Sequence, residues 1–338
     1  MRYRTFGKTG LRVSELCLGA MTFGEGIEWG ADKETSKKMF DSFANQGGNF
    51  IDTANVYTAG NSEKLIGEFV RSERDYFVVA TKYVISTNRR NPNAGGAHRK
   101  NMVQALESSL KRLGMDYVDV FWVHAFDPLT PIEEVVQGLY QLVQQGKVLY
   151  VGISDAPAWW VAKANTLAEL KGWSQFVGLQ IEYNLTERTA ERELLPMAHH
   201  FGMAVTAWSP LASGILTGKY RGTQVASRRL DSASFKRVSE RSLAISDTVV
   251  EIANEIGCTP AQVAINWVRQ QNERIIPIIG SRTLEQLEDN LKCLEFELGT
   301  EQFDRLDESS KPELGFPHEF LKMVQPMITG SKQIRKIG

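Results

Sequence analysis

The sequence is poor in the features that mark secreted, zinc-binding or membrane-spanning proteins. Only three of its 338 residues are cysteines, and Cys17, Cys258 and Cys293 lie far apart with no C-x-x-C pair. This spacing argues against a disulfide framework and against a structural zinc site. No apolar run is long enough to cross a membrane, and residues 1–10 carry charges where a signal peptide would be apolar. We therefore expect a cytoplasmic protein that is neither secreted nor inserted in a membrane.

The chain also lacks an excess of charge of either sign. Its 39 basic and 40 acidic residues give a formal net charge of -1, so no overall positive field attracts nucleic acid. Gly24, Gly26 and Gly30 do not have the G-x-G-x-x-G spacing of a Rossmann dehydrogenase. Of the five histidines, only His124 ends a predicted strand, which argues against a multi-histidine metal hydrolase. The composition thus predicts neither nucleic acid nor a membrane as a partner.

Eight short apolar runs alternate with segments of helical periodicity. Because most runs are continuously apolar, they are typical of strands buried on both faces in a parallel sheet. The predicted strands are Glu15–Gly19, Asn49–Thr53, Tyr76–Lys82, Val118–His124, Val148–Ser154, Val177–Tyr183, Ala204–Trp208 and Ile275–Gly280. Eight strand–helix repeats predict an α/β protein, and their number favours a closed (β/α)8 TIM barrel that takes up the 338 residues as one domain.

Local signals predict the ends of several elements. The segments TPIE at 130–133 and TPAQ at 259–262 have the order of a helix N-cap, a first-turn proline and a capping Glu or Gln. The segments Arg2–Phe6 and Arg12–Val13 flank a turn at 8–10, which predicts an N-terminal β-hairpin over the barrel floor. A C-terminal helical extension is expected after the last strand.

Polar residues stand where the predicted strands end, and the active site of such a barrel lies at the carboxyl ends of its strands. The second strand ends near Asp52, the third at Lys82 and the fourth at His124, and Tyr57 lies just after the second. If the barrel closes, these four side chains meet at one mouth. Three further residues at strand ends are Ser154, Gln180 and Trp208.

Seven segments together resemble the aldo-keto reductase superfamily over nearly the whole chain. In order, they are NFIDTANVY (49–57), NSEKLIG (61–67), VVATK (78–82), DYVDVFWVH (116–124), GISD (152–155), WSPLASGILTGKY (208–220) and IGSRTLEQLEDN (279–290). The WSPLA segment resembles the branch that contains potassium-channel β subunits and bacterial aldo-keto reductases. The resemblance implies an oxidoreductase that uses NADPH/NADP+ to reduce an aldehyde or ketone by hydride transfer.

The resemblance implies that Asp52, Tyr57, Lys82 and His124 are catalytic, and the chemistry explains these residue types. Hydride attack on a carbonyl leaves an oxygen that must be protonated, and Tyr57 is the expected acid. Its ordinary pKa is about 10, and a nearby Lys82 ammonium is expected to lower that pKa. Asp52 is expected to keep the lysine charged. His124, which ordinarily titrates near pH 6.5, is expected to orient the carbonyl or help to move the proton.

The same resemblance implies a cofactor site. Ser154 and Gln180 are expected to bond the nicotinamide carboxamide, and Trp208 to stack on the ring. Asp155 stands where many members have asparagine, and an ionised carboxylate cannot donate to the carboxamide carbonyl. The planar guanidinium of Arg282 suits a 2′-phosphate and predicts a preference for NADPH. The other expected contacts are Ser209, Pro210, Leu211, Ala212, Ser213, Lys219, Arg229, Gly280, Ser281, Gln286, Asp289 and Asn290.

Some alternatives stay open at this point. The channel-associated members are mainly regulatory and resemble a version with Asn where this chain has His124, so a cofactor-binding regulatory subunit with little turnover is the alternative function. Segments 86–100 and 221–241 are candidate lids because they follow the third and seventh strands. Homo-oligomerisation is left open. Candidate walls of an apolar or aromatic substrate pocket are Phe23, Trp29, Tyr83, Trp122 and Phe126.

Overall fold

Eight parallel strands close into a barrel in the computed structural model, which describes residues 1–25, 28–220 and 238–330. The strands are β3 (Cys17–Gly19), β4 (Phe50–Asp52), β5 (Val78–Tyr83), β6 (Val118–Val123), β7 (Val148–Ser154), β8 (Phe176–Glu182), β9 (Ala204–Trp208) and β10 (Ile275–Ile279). Each strand pairs with its neighbour in sequence, and β10 closes the circle against β3. The predicted (β/α)8 fold is confirmed, and the predicted strand ends differ from these by at most two residues.

Helices surround the barrel in the order that the periodicity predicts. They are α1 (Lys33–Asn45), α2 (Asn61–Phe69), α3 (Arg99–Leu113), α4 (Ile132–Gln144), α5 (Ala158–Lys171), α6 (Leu194–Phe201), α7 (Glu240–Ile256), α8 (Pro260–Gln271), α9 (Leu284–Leu291), α10 (Thr300–Ser310) and α11 (His318–Ile328). The last two form the predicted C-terminal helical extension. Among the described residues, no helix combines the length and the apolar character needed to cross a membrane.

Helix capping agrees with the sequence at α8 but not at α4. Thr259 and Gln262 cap the start of α8 reciprocally, as TPAQ predicts. At α4, by contrast, Pro131 is the N-cap and makes no side-chain capping bond. The capping box predicted at TPIE is therefore wrong. The hydroxyl of Thr130 instead donates to Asp127, 2.6 Å away, and this competing acceptor lies in the preceding loop.

A hairpin closes the barrel floor, as the sequence predicts. Its strands, β1 (Tyr3–Thr5) and β2 (Arg12–Ser14), pair antiparallel. Phe6, at the end of β1, enters the barrel and packs edge-on against Phe50 and Trp122, at ring distances of 5.5 and 6.2 Å. The inside of the barrel is thus filled from below by apolar side chains, and the Asp52–Lys82 pair lies at the opposite end.

Three of the candidate pocket walls belong instead to the core. Trp122 lies inside the barrel below the mouth, where a Cβ on Gly152 would come within 2.3 Å of its ring. Tyr83 stacks on Phe121 at 4.9 Å and is fully buried. Phe23, also buried, packs edge-on near Phe69. The prediction that these three line a substrate pocket is therefore wrong, because their side chains fill the barrel or the layer between strands and helices.

Candidate active site

All four predicted catalytic residues lie at the mouth of the barrel. Asp52 ends β4, Lys82 is the penultimate residue of β5, and His124 directly follows β6. Tyr57 begins a short 3₁₀ turn after β4. Since β4, β5 and β6 are consecutive strands of the barrel, their carboxyl ends bring these side chains together.

The ammonium of Lys82 is the centre of this group. Its Nζ donates to the Asp52 carboxylate, to the Thr53 carbonyl oxygen at 2.8 Å and to the Tyr57 hydroxyl at 3.1 Å. These three bonds use the full donor capacity of a lysine ammonium. The lysine side chain is completely buried, so it is fixed by its partners and does not reach solvent.

Burial and charge act in opposite directions on the two proton-bearing groups. Burial lowers the pKa of Lys82, but Asp52 and Tyr57 raise it more, so the net pKa lies above its usual value. Burial raises the pKa of Tyr57, and the Lys82 ammonium opposes this shift without cancelling it. The Lys82 ammonium thus lowers the pKa of Tyr57 as expected, but the loss of solvent has the larger effect and the net pKa lies above its usual value. A phenol that stays protonated at neutral pH is suited to donate a proton.

His124 is neutral at physiological pH. Burial, and then the nearby Lys82 charge, lower its pKa to about 3. Its ring lies edge-on to that of Tyr57, with centroids 6.0 Å apart. None of the described residues hydrogen-bonds to its buried Nδ1. Titration of His124 near pH 6.5 is thus not expected, and the geometry suits a neutral hydrogen-bonding group beside the phenol.

The predicted nicotinamide contacts lie on the strands across the mouth. Trp208 ends β9 and donates from Nε1 to Asp155 Oδ1 at 3.1 Å, while the Ser154 hydroxyl donates to Asp155 Oδ2 at the same distance. Asp155 has a left-handed backbone with φ 44°. Loss of solvent around its carboxyl raises the pKa of Asp155, and the bonds from Trp208 and Ser154 oppose that shift. Asp155 therefore fixes the edge of the indole, a contact that sequence analysis missed.

Gln180 points across the barrel from β8. Its Nε2 donates to Asp52 Oδ1 at 3.0 Å and to the Thr206 hydroxyl at 3.3 Å. Gln180, Asp52 and Thr206 are all buried. The residue predicted to bind the carboxamide is thus also bonded to Asp52, one of the four predicted catalytic residues.

The loop after β9 has an unusual run of left-handed residues. Ser209, Ala212 and Ser213 have φ of 57°, 49° and 56°, although none is glycine. Ser213 N bonds back to Ser209 Oγ at 3.1 Å. The Lys219 ammonium lies against this loop, since a Cβ on Gly214 would come within 2.6 Å of its Nζ. The N–H groups of Ala212, Ser213 and Gly214 bond within the loop, and the Lys219 ammonium beside them supplies a positive charge that suits an anion. Pro210 and Leu211 complete the loop.

Sequence analysis missed two buried residues that support the site, one beside the loop after β9 and one beside the strand that carries Lys82. Asn184, fully buried after β8, donates to the Ser209 carbonyl oxygen at 3.0 Å and so holds the loop in place. Glu63 is also fully buried; it accepts from Thr81 at 2.6 Å and pairs with Arg112. It thereby ties α2 to the strand that carries Lys82. Glu63 belongs to the NSEKLIG segment, but a single glutamate on a helix gives no signal of burial by itself.

The predicted adenosine contacts lie between β10 and α9. Arg282 is half-buried, and its backbone N–H donates to Gln286 Oε1 at 3.0 Å. Ser281 is buried and accepts from Asn290 Nδ2 at 3.3 Å. Gly280 is exposed at the strand end. Because β9 and β10 are neighbours, this segment and the loop after β9 leave the barrel side by side.

Two of the predicted cofactor contacts differ from the rest, since the carboxylate of one is bonded within the protein and the other lies outside the described residues. Asp289 accepts from Thr259 at 2.9 Å and from Gln262 at 2.7 Å, so its carboxylate holds the start of α8. Arg229 lies outside the described residues, as does most of the candidate lid 221–241.

The other candidate lid, 86–100, folds back on itself, with Gly96 N bonded to the Val84 carbonyl oxygen at 2.8 Å.

The chain is similar to known proteins over most of its length. The profile of the Aldo/keto reductase family matches residues 15–311. The chain is 39% identical to an aryl-alcohol dehydrogenase (NADP(+)) of Phanerodontia chrysosporium, over 91% of this chain and 86% of the relative. It is 38% identical to a norsolorinic acid reductase of Emericella nidulans, over 92% and 82% of the two chains. A putative aryl-alcohol dehydrogenase of Saccharomyces cerevisiae is 34% identical over 98% and 95%.

Proposed function

The chain belongs to the aldo/keto reductase family of oxidoreductases, and we propose that it uses NADPH to reduce the carbonyl of an aromatic aldehyde or ketone, with Tyr57 as proton donor. The observation that carries this proposal is the bond from the buried Lys82 ammonium to the Tyr57 hydroxyl, with Asp52 on the other side of the lysine. His124 supports turnover over the regulatory alternative, since the channel-associated members resemble a version with Asn at this position.

The residues present fit a nicotinamide dinucleotide. The Lys219 ammonium, which lies against the loop 209–214, offers a positive charge to a diphosphate. Trp208 offers a ring fixed by Asp155. Arg282 offers a half-buried guanidinium to a 2′-phosphate. Asp289, the acidic residue that would otherwise favour an unphosphorylated ribose, is held by α8, which supports NADPH over NADH.

When bound, the cofactor supplies a hydride. In the proposed mechanism Tyr57 gives its proton to the carbonyl oxygen as negative charge develops there. Lys82, bonded to the phenol oxygen, stabilises the resulting phenolate. Asp52 keeps Lys82 charged and in place. His124, neutral because of its low pKa, donates a hydrogen bond to the carbonyl oxygen and orients it.

Aromatic side chains near the mouth support an aromatic substrate. Phe126 follows β6, and its ring meets those of Trp159 and Trp160 edge-on at 6.4 and 5.7 Å. Trp159, in the first turn of α5 after β7, leaves 64% of its surface exposed and so offers an aromatic ring to a ligand. The relatives named above act, by their names, on aryl alcohols and on norsolorinic acid.

The proposal is tested with purified protein, both reduced cofactors and matched aldehydes. Benzaldehyde and larger aryl aldehydes are compared with aliphatic aldehydes of similar size, and oxidation of the cofactor is followed by its absorbance. We expect turnover with NADPH that favours the aryl aldehydes. Tyr57→Phe is the control for enzymatic turnover. Tight cofactor binding without turnover of any carbonyl compound would favour the regulatory alternative.

A further inference from the structure

The hydrogen bond between Gln180 and Asp52 joins opposite walls of the barrel. In the closed order of strands, β4 and β8 are separated by three strands on either side. Gln180 reaches from β8 to Asp52 Oδ1 at 3.0 Å, and each of the two side chains is 3% exposed. A bond this deep has no competing water, so its loss is not compensated by solvent.

This hydrogen bond holds the second oxygen of the Asp52 carboxylate in place. One of its oxygens accepts from Lys82 and the other from Gln180. With both oxygens held, the carboxylate cannot turn about its Cβ–Cγ bond. Lys82 in turn donates to the Tyr57 hydroxyl. A continuous path of hydrogen bonds therefore runs from Gln180 through Asp52 and Lys82 to the proposed proton donor.

Gln180 also lies beside the expected nicotinamide end of the site. It is in register with Ser154 on the neighbouring strand β7, and Ser154 bonds to the Asp155 carboxylate that holds Trp208. We propose that Gln180 is a positioning residue for the tetrad, which orients Asp52 and through it the Lys82 ammonium and the Tyr57 phenol. This inference rests on the proposed function, and it assigns Gln180 a role separate from any contact with the cofactor.

The test separates this role from cofactor binding by measuring kcat at saturating cofactor. Gln180→Met keeps the length of the side chain and removes its donor. We expect kcat to fall about 10–100-fold, the usual worth of a hydrogen bond to a charged group, even when cofactor saturates the variant. Thr206→Val is the matched control, because it removes the second bond of Gln180 and leaves Asp52 untouched. This control should keep kcat close to that of the wild type.

A double-variant cycle tests whether the effect passes through Asp52. If it does, Gln180→Met should cause no further loss of kcat in an Asp52→Ala background, since the group it positions is already gone. Additive losses would overturn the inference. Recovery of wild-type kcat at saturating cofactor would also overturn it, and would leave Gln180 as a cofactor ligand only.

A measurement on the cofactor-free protein keeps the inference testable without turnover. The Lys82 ammonium resonance, assigned by its loss in Lys82→Met, should shift in Gln180→Met and stay unchanged in Thr206→Val. An unchanged resonance in Gln180→Met would overturn the inference. If Gln180→Met does not fold, as judged by circular dichroism, Gln180→Asn replaces it, since the shorter amide cannot span the barrel. A wild type without carbonyl reduction would overturn the proposed function, and the Lys82 resonance would still decide the positioning role.

Discussion

Replacement of Lys82 by methionine should damage both stability and catalysis, and the structure separates the two effects. The ammonium is fully buried and donates to Asp52, to the Thr53 carbonyl oxygen and to Tyr57. Methionine fills similar space but donates nothing, so Asp52 remains as a buried charge without its counter-ion. Breaking a buried pair on one side costs about 3–5 kcal/mol. Loss of the group that activates Tyr57 should lower kcat by about 10²–10⁴-fold.

A second variant distinguishes the two effects. Asp52→Leu combined with Lys82→Met replaces the ion pair by apolar groups, which is often neutral or stabilising in a buried site. Gln180 then still has the Thr206 hydroxyl as an acceptor. We therefore expect the double variant to recover most of the free energy of unfolding but none of the activity.

The assays are urea unfolding followed by circular dichroism and aldehyde reduction at saturating NADPH. Near wild-type turnover in Lys82→Met would refute the catalytic assignment. Recovery of activity together with stability in the double variant would show that Lys82 serves only the fold.

Four further predictions follow from the site. Tyr57→Phe should lower kcat about 10²–10⁴-fold and leave the cofactor Kd, measured by fluorescence titration, unchanged; an active variant would contradict its role as proton donor. His124→Asn should lower kcat strongly without moving the limbs of the pH–rate profile, because a pKa of about 3 keeps the histidine neutral throughout the working range. A limb near pH 6.5 that is present in the wild type and absent in the variant would show that His124 titrates. Arg282→Ala should raise the Kd for NADPH about 10–100-fold and leave that for NADH unchanged, and a wild type with equal Kd values would defeat the argument for a 2′-phosphate contact. Asp155→Ala should raise the cofactor Kd about tenfold by freeing the Trp208 indole. Asp155→Asn keeps an acceptor for the indole and should leave the Kd unchanged. Equal effects of the two changes would show that the charge of Asp155, and not its bond to Trp208, determines the Kd.

The barrel and the positions of the proposed catalytic residues were predictable because both follow from strand order. Continuous apolar runs mark strands buried on both faces, and parallel strands present their carboxyl ends at one mouth. Asp52, Lys82 and His124 each stand at such an end, so no tertiary information was needed to bring them together. Side-chain direction was harder to foresee, although adjacent strand residues face opposite sides. Lys82 faces the mouth, and Tyr83 therefore had to face the helices, which excludes it from a pocket.

Competition among neighbours accounts for the predictions that failed. Thr130 stands where the sequence predicts an N-cap, but its hydroxyl donates a hydrogen bond to Asp127. The sign of the Tyr57 pKa shift depends on how much solvent the fold removes, and a sequence does not give that quantity. In both cases the tertiary structure decides the outcome, through the nearest acceptor for Thr130 and through the loss of solvent for Tyr57.

The buried ion pair itself argues for function over stability. Desolvation makes such a pair a weak stabiliser at best, and apolar residues of similar size would usually serve the fold as well. The chain offsets this cost by giving the Asp52–Lys82 pair polar partners on both sides, with Gln180 on one carboxylate oxygen and Thr53 and Tyr57 on the ammonium. A network that is satisfied on every side keeps one geometry. The lower part of the barrel interior is filled by apolar side chains such as Phe6, and we infer that the charged pair at the mouth serves the proposed reaction.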